Sequence, residues 1–248
     1  MFGKHDQLGT INRLTPDRVA NAATLIRKGK VFNLSLPLNQ PSPPLVPRRL
    51  AYRHQVDVTG RNARDDKLDD FYLQASSQVD GLRHIRYREF GFYNGFDDSD
   101  AERGALGIDR WADHGIAGRG LLLDMPRFFQ RSGVPFDASA NTPFTPKMVA
   151  DALAEQNAQI EGGDILLLRT GWWRYYLSLP PAVKRELPRK QATGQLTNPG
   201  LDASRETAAF LWDNGFAAVM ADNIAVENLP IDPKIGFLHR RLIPLLGF

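Results

Sequence analysis

The sequence contains no cysteine, which excludes a disulfide framework and any thiolate metal site. A metal here must take its ligands from imidazole, carboxylate or amide oxygen. Histidine is scarce too, with five in 248 residues, so each can be weighed singly. Apolar runs are short. "ILLL" at 165–168 is typical, far below the roughly 20 residues that cross a bilayer as a helix. The start, "MFGKHDQLGTINRL", is polar and lacks the apolar core of a secretory signal. Blocks of like charge are also missing. The net charge is +3 and the 31 basic residues are spread along the chain, so nucleic-acid binding has no compositional support. No Gly-x-Ser-x-Gly elbow and no phosphate-loop glycine pattern occurs, which removes two common catalytic designs. These absences point to a soluble, cytoplasmic protein with neither nucleic-acid nor membrane partners. Its 42% hydrophobic and 24% charged residues are ordinary for a globular α/β chain.

Thr15-Pro16 opens a helix in "LTPDRVANAATLIRKGK", with Val19, Ala22, Ala23 and Ile26 as its apolar stripe and Gly29 as its stop. "VFNLSLPL" (31–38) alternates as a strand, and the proline-rich "NQPSPPLVPRR" follows as a loop. "LAYRHQVDVTG" reads as a second strand, "RNARDDKLDD" (61–70) as a charged surface loop and "FYLQASS" (71–77) as a further strand. "GRGLLLDM" (118–125), "GGDILLLRTGWW" and "FAAVMADN" (216–223) read as buried strands. Helices separate them: one opened by Thr145-Pro146, the other in "LDASRETAAFLWDNG", capped by Asp202 and stopped by Gly215. Helix-then-strand units predict an α/β fold with parallel pairing. The strand-rich first half predicts a mixed central sheet with outer helices. No repeat or linker interrupts residues 1–248, which read as a single domain.

Within "SSQVDGLRHIRY" (76–87), Asp80 and His84 stand four residues apart. On one extended strand they would lie roughly 13 Å apart, too far to share an ion. On a helical turn their Cβ atoms come within roughly 5–6 Å. Gly81 is a natural place for the chain to break into such a turn. A lone Asp-x-x-x-His pair more often marks an ion pair or a cap, so spacing alone does not decide between these roles.

"QASSQVDGLRH" resembles a degraded copy of the signature His-x-Gly-Thr-His-x-Asp-x-Pro-x-His of the cyclase-like metal-dependent hydrolases, the family of bacterial-type kynurenine formamidase, isatin hydrolase and trans-dienelactone hydrolase. The similarity continues through "HDQLGTINRLTPDRVANAATLIRKGKVFNLSLPL", "LGIDRWADHGIAGRGLLLDM", "NPGLDASRETAAFLWDNGFAAVMADNIAVE" and "LHRRLIPLLG", in the family's order. It implies a swivelling β/β/α domain, a homo-oligomer, and a hydrolase of a small aromatic or cyclic amide or lactone. Asp80 and His84 match the signature's aspartate and last histidine, and His239 matches a histidine supplied from near the family's C-terminus. Gln74 and Gln78 replace its first two histidines, and Leu82 its proline. A family glutamate lies beyond the position of Phe248, so the resemblance implies that the family's C-terminal end is missing.

The resemblance thus implies Asp80, His84, His239 and the amide of Gln78 as ligands of one divalent ion, zinc or manganese, with His84 also the catalytic proton carrier. An amide oxygen is neutral and weak beside imidazole, so binding is expected to be weak or lost. Loss leaves a metal-free relative, either a lyase or cyclase or a small-molecule binding protein. Phe92, Tyr93 and Trp172, in "FGFYNG" and "GWWRYY", are candidates to stack on a flat substrate, with core packing the competing role. Asp222 and Asn223 end a strand, where α/β sheets place site residues, and read equally as pocket-lining residues, as a brace for His239 or as caps of the following loop. Glu227 is a further carboxylate able to substitute for a missing ligand. "FGFYNGF" is expected to offer an exposed apolar contact between subunits.

Overall fold

The computed structural model describes residues 2–248, and the chain divides into two compact units. Among the described residues, the first comprises 2–29, 80–175 and 197–248; the second comprises 30–79 and 176–196.

The strands run in chain order: β1 (Arg53–Gly60), β2 (Ala63–Asp69), β3 (Gly120–Asp124), β4 (Pro143–Phe144), β5 (Ile165–Arg169), β6 (Gly200–Leu201) and β7 (Ala218–Ala221). In the first unit β3, β5 and β7 form a parallel sheet in that order. Helices Met125–Ser132 and Pro146–Glu155 connect β3 to β5, and helix Arg205–Asp213 precedes β7, so the chain follows the predicted α/β alternation. The sheet is wholly parallel rather than mixed, because antiparallel strand pairing belongs to β1 and β2 in the other unit. β5 is the central strand, with Ile165, Leu166 and Leu168 buried. "GRGLLLDM", read as a buried strand, forms a half-buried edge strand: Leu121 and Leu123 enter the core while Leu122 faces out. Three leucines in a row thus alternate, as the two-residue period of a strand requires.

One core cluster gathers Leu123, Phe144, Leu166, Leu201, Leu211 and Leu238. Another gathers Ile11, Leu14, Leu82, Tyr93, Trp111 and Ile243. Thr145 caps its helix by accepting from Met148 N. In the helix Arg205–Asp213 the cap is Ser204, which accepts from Thr207 N, and not Asp202. The first helix spans only Pro16–Ala23, and Ile26 lies exposed beyond it. Thr10 Oγ1 donates to the carbonyls of Ala217 at 2.8 Å and Gly247 at 3.1 Å. This stitches the N-terminal segment to the residue that leads into β7 and to the C-terminal turn. Gly9 and Gly247 both have positive φ, and a Cβ on Gly9 would meet the Gly247 carbonyl oxygen at 1.9 Å. Two glycines are required for that approach.

The second unit departs most from the sequence reading. "VFNLSLPL" and "FYLQASS" are not strands; Leu73–Ala75 is a short 3-10 helix. The two segments meet through side chains instead of a ladder: Ser77 Oγ accepts from Leu36 N at 2.9 Å, and Ser76 Oγ donates to the Pro37 carbonyl at 3.2 Å. Proline has no N–H for a ladder, and the serine hydroxyls serve in its place. "RNARDDKLDD", expected as a loop, supplies β2, antiparallel to β1. Neither strand has a buried face, so composition does not oppose the ribbon, and His54–Asp66 at 2.6 Å pairs across it. Tyr176 anchors the unit, its hydroxyl donating to the Ser42 carbonyl at 3.2 Å and accepting from Ser42 N at 2.8 Å.

Candidate active site

Asp80 and His84 lie on one turn, as their spacing and Gly81 suggested. His84 N donates to the Gly81 carbonyl at 2.9 Å. Leu82, between them, is 1% exposed and sits in the core with Ile11 and Trp111. A leucine where the family signature has proline therefore anchors the turn through packing. His84 Nε2 lies 3.7 Å from Asp80 Oδ1.

A second carboxylate arrives from the loop after β7. Asn223 Oδ1 accepts from Val226 N at 2.8 Å, and its amide donates to the Pro199 carbonyl at 2.8 Å. Val226 N–H and carbonyl are thus both tied, the latter to Leu201 N. Val226 itself is held at φ 58, an unusual conformation for a β-branched residue. Asn198 donates to the Glu227 carbonyl at 3.0 Å. Gly200 completes the fit, since a Cβ there would meet the Glu227 carbonyl carbon at 2.4 Å. These contacts over-determine a strained turn, and the result is a fully buried Glu227 side chain.

His239 comes from the short helix Leu238–Arg241, whose Leu238 is wholly buried. Phe237 stacks on its ring at 4.7 Å with the planes 3° apart. His239 Nδ1 lies 2.7 Å from Glu227 Oε2, and Nε2 lies 3.7 Å from Asp80 Oδ2. Burial alone would lower the pKa of His239, but the negative charges of Glu227 and Asp80 and the hydrogen bond to Glu227 outweigh it and raise it. Glu227 Oε1 is buried with no hydrogen-bond partner.

The structure therefore brings Asp80, His84 and His239 together and adds Glu227, which the sequence offered only as a substitute ligand. Gln78 belongs to the second unit and is exposed. With its amide turned to satisfy both atoms, it donates to the carbonyls of Ser76 at 2.9 Å and Gln74 at 3.3 Å. Asp222 is committed to positioning: it accepts from Thr170 Oγ1 at 2.7 Å and from Gly171 N at 3.1 Å. Asn223 builds the Glu227 loop. Trp172 is 3% exposed and its indole donates to the Thr197 carbonyl. Tyr93 is equally buried, and its hydroxyl donates to Asp6 at 2.8 Å. Burial and that bond raise the phenol's pKa. Neither ring lies open for stacking here. Phe92 is half-buried. In "FGFYNGF" only Phe90 among the aromatics is largely exposed, so the expected contact surface is small.

Among the described residues no group of three or more His, Cys, Asp or Glu side chains stands ready to hold a metal ion. The donor chemistry nevertheless suits one. Each histidine Nε2 faces a different oxygen of Asp80 at 3.7 Å, too long for a hydrogen bond. Two donors each about 2.1 Å from a shared ion can stand up to about 4.2 Å apart. His239 also shows the arrangement of a ligating imidazole, with one nitrogen fixed by a carboxylate and the other aimed inward.

Three comparisons bear on these residues. A search of curated proteins finds none that matches. A crystal structure of a novel cyclase superposes with a TM-score of 0.83 at 30% identity, covering 99% of this chain and 82% of that one. A family model described as "Putative cyclase" matches residues 32–228. The chain, with its Asp80 turn and much of its sheet inside that span, belongs to the cyclase family.

Proposed function

We propose that the chain is a metal-dependent hydrolase of a small cyclic or aryl amide or lactone, with Asp80, His84 and His239 as the ligands of one divalent ion. Membership of the cyclase family points to an enzyme, and among known activities to a kynurenine-formamidase-like hydrolase. The observation that carries the finer reading is Asp80 standing between two imidazoles, one of them braced by the buried Glu227. A bound zinc or manganese ion would supply Lewis acidity toward the scissile carbonyl and a hydroxide near neutral pH.

The chain's own groups have distinct tasks. Asp80 brings the negative charge that gathers the two imidazoles. Glu227 fixes the ring of His239 so that Nε2 points to Asp80. His84 is the more exposed of the two imidazoles, with a side chain 24% exposed against 15% for His239, and through the ring nitrogen that does not face Asp80 it can exchange a proton with substrate and solvent.

We take the two compact units to form one swivelling β/β/α domain acting as a soluble, cytoplasmic homo-oligomer. Light scattering of the purified protein should give a multiple of 27.8 kDa. The direct test of function is metal content after purification without chelator, followed by turnover of an aryl formamide, a cyclic amide and a lactone. Stoichiometric metal and hydrolysis of one substrate class are expected. A second reading, a metal-free relative acting as a lyase, cyclase or small-molecule binding protein, draws on the incomplete cage and on Gln74 and Gln78. No bound metal and no turnover with added zinc or manganese would favour it.

A further inference from the structure

The carboxyl ends of β3 and β5 open onto a cavity of about 630 Å³ that includes none of the residues discussed above as ligands. Asp124 and Arg169 are register partners at those strand ends. Arg127 and Arg131 come from helix Met125–Ser132, and Arg174 from helix Trp172–Ser178. Four guanidiniums thus line one hollow. Two are neutralised: Arg169 Nη1 lies 2.6 Å from Asp124, and Arg131 Nη1 lies 2.5 Å from Glu155. Arg127 and Arg174 are lining residues of the same cavity, and among the described residues neither guanidinium has a hydrogen bond or ion pair.

Unpaired guanidiniums on a concave wall focus a positive potential and repel one another. An oxyanion that accepts from both relieves that cost through charge-assisted, planar hydrogen bonds. A phosphate monoester carries about 1.5 to 2 negative charges at neutral pH, matching two arginines, whereas a simple carboxylate carries one. The volume is more than a bare phosphate needs and falls within the usual range for organic ligands. An adjoining hollow of about 220 Å³ shares Arg127 and Arg131 and reaches Leu122, whose outward side chain is 53% exposed and can cover an apolar body.

We propose that this cavity binds a small organic phosphate, with Arg127 and Arg174 on the phosphoryl oxygens and the organic body toward Leu122. Calorimetric titration of the full chain with glycerol 3-phosphate, adenosine monophosphate, inorganic phosphate and acetate tests it. An organic phosphate should bind more tightly than inorganic phosphate, and acetate should give no signal. Arg127→Gln with Arg174→Gln should weaken that binding at least about tenfold, as expected for lost hydrogen bonds to a charged group. Arg61→Gln, in the turn between β1 and β2, is the control and should change nothing. The exposed, unpaired arginines are dispensable for folding, so the double variant should keep the parent's melting temperature; should it unfold, the single variants carry the same comparison. Absence of binding by every phosphate, equal binding of inorganic phosphate, or an equal loss in Arg61→Gln would each overturn the proposal.

Discussion

Asp80 and His84 meet within one five-residue turn, whereas His239 and Glu227 meet only because a strand, a strained loop and the C-terminal helix converge. The first pair is half-buried and its geometry is local. The second is buried, with Glu227 wholly excluded from solvent. Local pairs can be moved or replaced at little cost to the rest of the fold, while the distant pair is tied to the core through Leu238, Asn198 and Asn223. Asp80 belongs to both, because His84 and His239 approach its two oxygens separately.

The largest effect is therefore expected from Asp80→Asn. It removes the anion common to both histidines while keeping the shape. Loss of an outer-shell partner alone typically costs about 10–100-fold in metal affinity, so loss of the only carboxylate among the three proposed ligands should cost more. Metal analysis and competition with a chelator measure it. Parent-like metal retention in Asp80→Asn would remove this residue from the site.

Glu227→Gln should come next, at about 10–100-fold in metal affinity or activity. Its signature is a changed pH dependence. In the metal-free protein His239 has a raised pKa because Glu227 and Asp80 outweigh burial. A raised folded-state pKa makes protonation stabilising. That contribution is fully present below the ordinary histidine value and is lost as pH rises through the raised one. The chelator-treated protein should melt progressively lower across that window, and Glu227→Gln should flatten the slope. A proton on His239 also competes with an ion, so apparent metal affinity should increase with pH over the same range. An unchanged melting slope in Glu227→Gln would separate the carboxylate from the histidine's proton.

Gly200→Ala acts one step further away. A Cβ there collides with the Glu227 carbonyl carbon and the Val226 oxygen, so the loop must shift and Glu227 with it. A partial loss of activity is expected, smaller than for Glu227→Gln, together with a lowered melting temperature. Activity equal to the parent's would mean that the loop tolerates displacement without moving the carboxylate.

The same contrast explains what the sequence disclosed. The turn at Asp80 was legible because a four-residue spacing and a glycine are local signals. β5 was legible because "ILLL" needs burial on both faces. The role of Glu227 was not, since a glutamate in "NIAVENLP" carries no local mark. Its partner lies twelve residues away in sequence, and its burial depends on Gly200 and Asn198 from another strand region. The second unit was misread for a related reason. Alternating apolar residues in "VFNLSLPL" imitate a strand, but Pro37 and the serines of 76–77 substitute side-chain bonds for the ladder. Charged β2 pairs without any core face for its pattern to report.

Gln78 should give the smallest effect, and it tests whether the local half of the site extends beyond the turn. Its alignment with a family histidine argues for a ligand. Its exposure and its amide bonds to the carbonyls of Ser76 and Gln74 argue for a residue that shapes its own loop. A neutral amide contributes little to a divalent ion beside a carboxylate and two imidazoles. Hydrogen bonds in an exposed loop contribute about 0.5–1.5 kcal/mol each at most. Gln78→Ala should therefore shift metal affinity far less than Asp80→Asn and the melting temperature only slightly. Gln78→His supplies the sharper measurement, because imidazole is the better ligand. If position 78 faces the ion, this variant binds zinc more tightly than the parent, and the site then has four protein ligands. Unchanged affinity would confine the ligand set to Asp80, His84 and His239.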